Sequence, residues 1–354
     1  MVAALLEWET IDAEQINDIM AGRPPKEPKP VTATAFGNSA GGGTPDTWTG
    51  CRRGSRNSLR MQVNPSPAAW RCGRFLFELS KTTRPLVMGI LNATPDSFSD
   101  GGQFYQRDAG LKQAEKMIAA GVDIIDIGGE STRPGAEPVA LQEELDRVLP
   151  VIEALKECGA ALSIDTYKPE TMRAALDLGV DCVNDIWALR QEGAVDVVKQ
   201  SNCGVVLMHM QRDPQTMQFD PHYDNVLQDV QTFLLERCAL LEEAGIASNR
   251  ITIDPGFGFG KSLEHNYQLL AQFALFTEHG YPVLAGISRK SMLGKVTHKE
   301  VGDRLIPSIA AAIMAVERSA KIVRTHDVSE TMDAIKIWQA MREQELTSFI
   351  MKND

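Results

Sequence analysis

The residues best suited to chemistry are basic side chains that stand near the ends of short apolar runs. The members of this set are Arg133, Arg289, Lys290, Arg324 and His326. Guanidinium groups give phosphates paired hydrogen bonds, and a lysine adds a point charge. The formal net charge of the chain is −11, so an anionic ligand needs such a local positive cluster. The set therefore predicts a phosphate or pyrophosphate site.

A second set of residues, in the stretch NATPDSFSDGG at 92–102, supplies oxygen atoms. Asn92, Asp96 and Asp100 offer the hard ligands that Mg²⁺ prefers, which predicts a magnesium ion bridging the same anion. A plain connection between elements needs only about 2–6 residues, so this stretch is longer than linkage requires. Its Gly-Gly end predicts a mobile lid that closes over the anion and excludes water.

Three further polar residues follow apolar runs without an obvious basic partner nearby in the sequence. They are Asp165, Asn184 and Asp254. Buried carboxylates need hydrogen-bond donors, and a heterocycle with an amidine-like edge, such as a 2-amino-4-oxo ring, would supply them. The alternative is an ion pair from Asp165 or Asp254 to Lys290 or Arg324 that only closes the structure.

The elements that must position these residues are short apolar runs alternating with amphipathic segments, from residue 84 onward. Period and length predict strands at 86–91, 123–127, 161–165, 180–184, 204–209, 251–254, 282–287 and 321–325. Eight such units are typical of a (β/α)8 TIM barrel, which needs about 250 residues. An open doubly wound sheet is the alternative. Barrel strands end at one mouth, so the polar residues are expected to converge there.

Composition excludes several classes of function. An acidic chain lacks the basic face that nucleic acid requires, and no apolar run reaches the roughly 18 residues of a membrane span. Six cysteines occur without a CxxC spacing, which indicates a reducing, cytoplasmic location. The expected partners are therefore small molecules.

The first 69 residues differ from the rest. Residues 21–69 are rich in Pro, Gly, Ser, Thr and Arg and have no regular period, which predicts a disordered extension. The folded domain is expected at 70–354. The first 25 residues resemble the C-terminal tail of membrane-anchored FtsH-type zinc proteases, although they carry no HExxH or Walker motif. One interpretation is an open reading frame that begins inside a neighbouring gene, with translation starting near Met61; the other is a fusion tail.

The motifs of residues 72–346 resemble the dihydropteroate synthases. They are GILNATPDSFSDGG, IDIGGESTRPGA, SIDTYKP, NDI, LMHMQ, DPGFGFGK, GISRKS and RTHDV. This family joins 6-hydroxymethyl-7,8-dihydropterin pyrophosphate to 4-aminobenzoate in folate synthesis. The resemblance implies a TIM barrel, Mg²⁺ and a homodimer.

The resemblance also implies roles for particular residues. The pterin would be held by Asp165, Asn184, Asp254 and Lys290. The pyrophosphate would be held by Arg324 and His326, with Asn92 on the metal. The 4-aminobenzoate pocket, for which sulfonamides compete, would be shaped by Thr132, Arg133, Pro134, Phe259 and Ser291. The implied catalytic set is Asp165, Lys290, Arg324 and His326. Tyr167, where the family commonly has a small residue, lies close to Asp165, the implied pterin carboxylate, and could alter loop packing and sulfonamide sensitivity.

Two rival functions remain open at this stage. One is a pterin-binding barrel that transfers a methyl group from methyltetrahydrofolate to a corrinoid protein, which has no need of the SRKS and RTHD anion site. The other is a non-enzymatic pterin binder, or a scaffold recruited through the N-terminal segment.

Overall fold

The computed structural model describes residues 69–80, 84–93, 103–131, 137–211 and 221–350. The chain divides into two units, Met1–Arg60 and Met61–Asp354, and every described residue belongs to the second. The predicted extension ends one residue too late, since Ala69 already lies in a strand. The rest of it and its resemblance to a protease tail lie outside the described residues, so both stay predictions. In the described part, no helix has the length and apolar character that crossing a bilayer requires.

Eight parallel strands form the sheet at the centre of the fold. They are β3 (Leu86–Asn92), β4 (Ile124–Gly128), β5 (Ala161–Asp165), β6 (Cys182–Asp185), β7 (Gly204–Met208), β8 (Ile251–Asp254), β9 (Leu284–Ala285) and β10 (Ile322–Thr325). Their order is β8-β7-β6-β5-β4-β3-β10-β9. A parallel bridge between Ile253 and Val283 joins the two outer strands, with the Ile253 amide donating to the Pro282 carbonyl over 3.0 Å. The predicted (β/α)8 barrel is confirmed.

Helices follow the strands along the chain. They are α1 (Gln103–Ala119), α2 (Leu141–Leu155), α3 (Pro169–Asp177), α4 (Ala194–Lys199), α5 (Val226–Glu243), α6 (Leu263–Ala271), α7 (Ser291–Thr297), α8 (Leu305–Glu317) and α9 (Val328–Ile350). Short 3₁₀ turns lie at Ser248–Arg250, Phe273–His279 and Val301–Asp303. Helices α2 and α3 show why the chain folds this way, since each buries an apolar face against the barrel.

Both faces of the strands are covered, which explains their sequences. The residues of β4, β5 and β7 are buried at every position, as is usual for parallel sheets beneath helices. The strand at 282–287 is shorter than predicted, because Pro282 has no N–H for the ladder and the chain leaves the sheet at Gly286. The other seven strands lie within two residues of their predicted bounds.

A hairpin that the sequence analysis did not predict packs against the start of the barrel. Its strands are β1 (Ala69–Cys72) and β2 (Phe75–Glu78), which pair antiparallel. Trp70 is fully buried there, and its indole Nε1 donates to the Arg250 carbonyl over 3.0 Å. A Cβ at Gly204, the first residue of β7, would lie 2.9 Å from the Trp70 ring. The hairpin therefore packs against the N-terminal ends of the strands, and the C-terminal ends form the mouth.

The strand register brings the predicted polar residues together. Asn92 is paired with Gly128, Gly128 with Asp165, and Asp165 with Asn184. Asp254 ends β8, where it pairs with Met208 of the neighbouring strand β7. Four neighbouring strands therefore present one row at the mouth.

Candidate active site

A chain of alternating charges crosses the barrel mouth. The Arg324 guanidinium donates from Nε to Asp126 Oδ2 and from Nη2 to Asp165 Oδ2, each over 2.6 Å. The Asn184 amide donates to the same Asp126 oxygen over 2.9 Å. Strands β4, β5, β6 and β10 each contribute one of these four residues. The mouth is thus held by side chains from strands distant in sequence.

Two oxygens in this chain remain available to a ligand. Asp126 Oδ1 and Asp165 Oδ1 are buried and accept no hydrogen bond from any described residue. A buried carboxylate oxygen without a donor is costly. The two oxygens therefore indicate that a ligand bearing N–H groups donates to them.

Burial and neighbouring charge set the protonation of these groups. Burial raises the pKa of Asp165 to about 7, while Arg324 acts to lower it and Asp126 to raise it. Burial alone would lower the pKa of Arg324, but Asp126 and Asp165 raise it above its ordinary value. Arg324 is therefore a permanent cation, and Asp165 can change protonation near neutral pH.

On the other side of the mouth, Asp254 and Lys290 form the second charged group. Asp254 Oδ1 accepts from the Gly256 amide over 2.7 Å, and burial raises the pKa of this carboxyl while Lys290 lowers it. Burial lowers the pKa of Lys290 to about 8, although Asp254 acts to raise it. The Lys290 ammonium donates to the Phe257 carbonyl and lies 4.6 Å from the centroid of the Phe259 ring. An aromatic face, a cation and an anion therefore adjoin one another.

The loop after β8, which carries Phe257 and Phe259, depends on glycine. Gly256, Gly258 and Gly260 have φ of +70°, +79° and +61°, a region that side chains other than glycine rarely adopt. A Cβ on Gly256 would lie 2.0 Å from the His209 carbonyl oxygen. The loop can therefore pass close to the end of β7 only because these positions lack side chains.

A buried lysine holds this loop from beneath. The Lys261 Nζ lies 2.8 Å from the Gly256 carbonyl, 3.0 Å from the Phe259 carbonyl and 2.9 Å from Nδ1 of His209. Burial lowers the pKa of Lys261, and burial followed by Lys261 itself lowers that of His209. Lys261 thus fixes the backbone on either side of the Phe257–Phe259 turn.

The ends of β9 and β10 meet through Ser288 and His326. The Ser288 hydroxyl lies 3.0 Å from Nδ1 of His326 and accepts from the His326 amide over 3.2 Å. Arg289, which the sequence placed with the anion-binding set, instead forms an ion pair with Asp327. Ser291 is the first residue of α7. The two motifs SRKS and RTHD are therefore neighbours at the mouth, joined by the Ser288–His326 hydrogen bonds and the Arg289–Asp327 ion pair.

The remaining predicted residues are placed as follows. Asn92 ends β3, and Phe259 lies in the loop after β8. The 4-aminobenzoate residues Thr132, Arg133 and Pro134 lie outside the described residues, as do Asp96 and Asp100 and the predicted lid role of their loop. For those positions the assignments stay predictions.

Sequence reasoning missed Asp126 and Lys261. Asp126 is the one charged residue in the run IIDI, and a carboxylate within an otherwise apolar strand was a signal that could have found it. Lys261 is the last residue of the motif DPGFGFGK. The ion pair from Asp165 to Arg324, the alternative stated above, is present, but it leaves Oδ1 of Asp165 without a partner among the described residues.

The described residues contain no group of three or more His, Cys, Asp or Glu side chains that could hold a metal by themselves. One hard ligand is nevertheless suitably placed. A Cβ on Gly128 would lie in ordinary van der Waals contact, 3.9 Å from Asn92 Oδ1 and 3.7 Å from the Asp165 side chain, so these two side chains flank the position where Gly128 has no side chain. Mg²⁺ commonly uses one or two protein ligands together with substrate phosphates. The donor set therefore fits a magnesium ion that arrives with an anionic substrate.

Comparisons with known proteins agree with this geometry. A family model described as "Pterin binding enzyme" matches residues 88–326. Dihydropteroate synthase of Haemophilus influenzae is 52% identical over 259 residues, which cover 72% of this chain and 94% of that protein. The crystal structure of Burkholderia cenocepacia dihydropteroate synthase complexed with 7,8-dihydropteroate is 52% identical with a TM-score of 0.72, covering 79% of this chain and 99% of that one. The Xanthomonas albilineans enzyme with 4-aminobenzoic acid is 48% identical with a TM-score of 0.73, covering 78% of this chain and 98% of that one.

Proposed function

The chain belongs to the pterin-binding enzymes and, among them, to the dihydropteroate synthases, and we propose that the barrel mouth described above performs their reaction. That reaction transfers the pterin-methylene group of 6-hydroxymethyl-7,8-dihydropterin pyrophosphate to the amine of 4-aminobenzoate. Its products are 7,8-dihydropteroate and pyrophosphate. The resemblance of residues 72–346 to this family is thereby confirmed.

The observation that carries the proposal is the pair of unpartnered carboxylate oxygens on Asp126 and Asp165. The 2-amino-4-oxo edge of a pterin presents several N–H donors, which such oxygens accept. Asn184 and Asp254, both buried, add an amide and a carboxylate near the C-terminal ends of β6 and β8. Together they form a polar pocket that recognises a heterocycle by its hydrogen-bonding edge. A purely structural ion pair would leave no carboxylate oxygen without a hydrogen-bond donor.

The pyrophosphate is assigned to the cationic side of the mouth. Arg324, Lys290 and His326 are supplied by the adjacent strands β9 and β10 and by the segments that follow them. Arg324 is a permanent cation, so it stabilises negative charge as the leaving group departs. A methyl-transferring pterin barrel has no leaving pyrophosphate, and this basic group therefore favours the synthase over that rival.

The reaction is a displacement at the exocyclic methylene carbon of the pterin. The bond from this carbon to the pyrophosphate oxygen breaks ahead of attack by the amine nitrogen of 4-aminobenzoate, and the pterin ring delocalises the resulting positive charge. An ionised Asp165 stabilises that charge electrostatically. The attacking nitrogen then loses one proton, and pyrophosphate leaves with the bonding electrons.

Asn92 would be the protein ligand of Mg²⁺. The ion would supply charge neutralisation for the two phosphates. The position beside Gly128, which Asn92 Oδ1 and the Asp165 side chain flank, supports a site for the ion next to Asn92.

The 4-aminobenzoate pocket is assigned to the surface around Phe259, Lys290 and Ser291. The Phe259 ring packs with the buried side chains of Ile186, Met208 and Met210, which gives the benzoate ring an apolar wall. Thr132, Arg133 and Pro134 would complete the pocket.

A homodimer and a cytoplasmic location complete the proposal. Helices α8 and α9 contact each other and expose Ile306, Met314, Ile337 and Met341, and exposed large apolar side chains support a subunit interface on these helices. Cys72, Cys158, Cys182, Cys203 and Cys238 are free thiols, which supports a reducing compartment.

The test is pyrophosphate release by the purified protein, given the pterin pyrophosphate with and without 4-aminobenzoate. We expect release that depends on 4-aminobenzoate, a stoichiometric yield of dihydropteroate, and loss of turnover when EDTA removes Mg²⁺. Tight pterin binding without release would reject the synthase function in favour of a binding or methyl-transfer role.

A further inference from the structure

Arg289 adopts a backbone conformation that arginine rarely uses. Its φ is +57°, in the left-handed region that glycine and asparagine favour. The residue stands between Ser288 and Lys290, both at the mouth. Conformations of this kind persist where the surroundings enforce them, and they concentrate at functional sites.

Three parts of Arg289 are held by three different partners. Its amide donates to the Ser308 hydroxyl over 2.9 Å, and its carbonyl accepts from Arg304 Nη1 over 3.0 Å. Its guanidinium donates from Nε to Asp327 Oδ2 over 3.1 Å and from Nη2 to Asp327 Oδ1. The first two contacts come from the start of α8, and the third comes from the end of β10. The strained backbone is therefore enforced from two directions.

The ion pair joins the two segments that carry the anion site. Arg289 immediately precedes Lys290, whose ammonium contacts the Phe257 carbonyl and the Phe259 ring. Asp327 immediately follows His326, whose ring contacts Ser288. The side chain of Asp327 is largely buried, with 10% of its surface exposed, while that of Arg289 is 37% exposed. The Arg289–Asp327 ion pair lies one residue from Lys290 and one residue from His326. It therefore restrains the distance between the segments that carry these two side chains.

We propose that Arg289 and Asp327 form a clamp, defined as their paired ion contact, which positions Lys290 and His326 for the departing pyrophosphate. Both are positioning residues and do not touch the substrate. The proposal rests on the synthase function stated above. The competing possibility is that Arg289 itself binds the anion. Asp327 would then pair with Arg289 only while no substrate is bound.

The two possibilities differ in the effect of removing Asp327. With the clamp, Asp327→Asn and Arg289→Met each lower kcat by about 10–100-fold, since misplacement of catalytic groups by about 1 Å has effects of that size. The double variant loses no more than either single variant, because the pair acts as a unit. The KM for 4-aminobenzoate is expected to change less than kcat, because Phe259 is also held by Lys261 and by packing against Met208 and Met210.

A glycine substitution separates positioning from folding. Arg289→Gly removes the clamp and also relieves the left-handed strain, so its thermal midpoint is expected to equal or exceed that of Arg289→Met. Its kcat is nevertheless expected to be as low as that of Arg289→Met. A purely structural role would predict that activity follows stability instead. As a matched control, Arg342→Met breaks the exposed ion pair with Glu345 on α9, and we expect normal kcat.

Each outcome decides the proposal. If Asp327→Asn keeps wild-type kcat while Arg289→Met loses it, Arg289 binds the substrate directly and the clamp is rejected. If Arg289→Gly recovers activity together with stability, the pair is only structural. The synthase function is tested in the same assay by dihydropteroate formation in the wild-type protein, so its failure is separate from failure of the clamp.

Discussion

At the scale of single residues, Asp126 decides how the charges at the barrel mouth are shared. Its Oδ2 accepts from both Arg324 and Asn184, while Oδ1 has no partner among the described residues. The residue is completely buried. It therefore fixes the Arg324 guanidinium with one oxygen and offers the other to the ligand.

Asp126→Asn is expected to weaken pterin binding while preserving the fold. The asparagine oxygen can take over the contacts with Arg324 and Asn184, which leaves its NH₂ group facing the N–H edge of the pterin. Loss of a hydrogen bond to a charged acceptor is worth about 1.5–3 kcal/mol, so the Kd of the free pterin should rise about 10–100-fold. Isothermal titration calorimetry measures this directly.

Asp123→Asn is the matched control, because Asp123 lies just before the same strand and pairs with Arg84 over 2.7 Å. It should lower the thermal midpoint and leave the Kd of the pterin unchanged. Equal pterin affinity in Asp126→Asn and in the wild type would contradict the assignment of the free oxygen.

The sequence predicted the types of these residues better than their partners. Asp165, Asn184 and Asp254 were recognisable because each follows an apolar run, and the barrel periodicity then placed them at one mouth. Pairing depends on side chains up to 198 residues apart, as for Arg324 and Asp126. Arg289 shows the same limit, since only the fold reveals that Asp327 lies beside it.

At the scale of elements, the loop after β8 illustrates how a functional surface is built without regular structure. Three left-handed glycines allow the turn, and Lys261 ties its carbonyls to the end of β7. The Asn266 side chain also accepts from the Gly258 amide over 2.7 Å. These contacts place the Phe257 carbonyl and the Phe259 ring against Lys290.

Lys261→Met is expected to loosen this loop. The methionine fills much of the same volume but leaves the carbonyls of Gly256 and Phe259 without this donor, and each buried unsatisfied group costs about 1–3 kcal/mol. We expect a lower thermal midpoint and, at a temperature where the variant is folded, a several-fold higher KM for 4-aminobenzoate. Thermal unfolding and steady-state kinetics give both values.

Lys295→Met on α7 is the control, since Lys295 is exposed and should change neither quantity. The loop interpretation is wrong if Lys261→Met lowers stability without changing the KM for 4-aminobenzoate. At this scale the sequence predicted seven strands closely and placed β9 within a run that was too long, whereas the hairpin β1–β2 was not predicted.

At the scale of the whole molecule, the barrel separates stability from chemistry along its axis. The N-terminal half of its interior is apolar, with Trp70 and Cys72 of the hairpin packed onto Met88, Ile124 and other strand residues. The C-terminal half carries the charged residues of the mouth. Residues at opposite ends share few contacts, so changes at one end should have little effect at the other.

Trp70→Ala tests this separation. Removing a fully buried tryptophan from a packed core costs about 3–5 kcal/mol, and the variant also loses the hydrogen bond to the Arg250 carbonyl. We therefore expect a large fall in the thermal midpoint. Below that midpoint kcat and both KM values should stay close to those of the wild type. Among the described residues, the indole packs and hydrogen-bonds only at the end of the barrel away from the mouth.

Phe75→Ala provides the comparison within the hairpin, since Phe75 stacks on Phe77 and is only partly buried. Its effect on the midpoint should be much smaller and its kinetics unchanged. A fall in kcat for folded Trp70→Ala would mean that the hairpin also sets the geometry of the strands at the mouth. Stability and catalysis would then be coupled through the full length of the barrel, and the strands would act as rigid connections between its two ends.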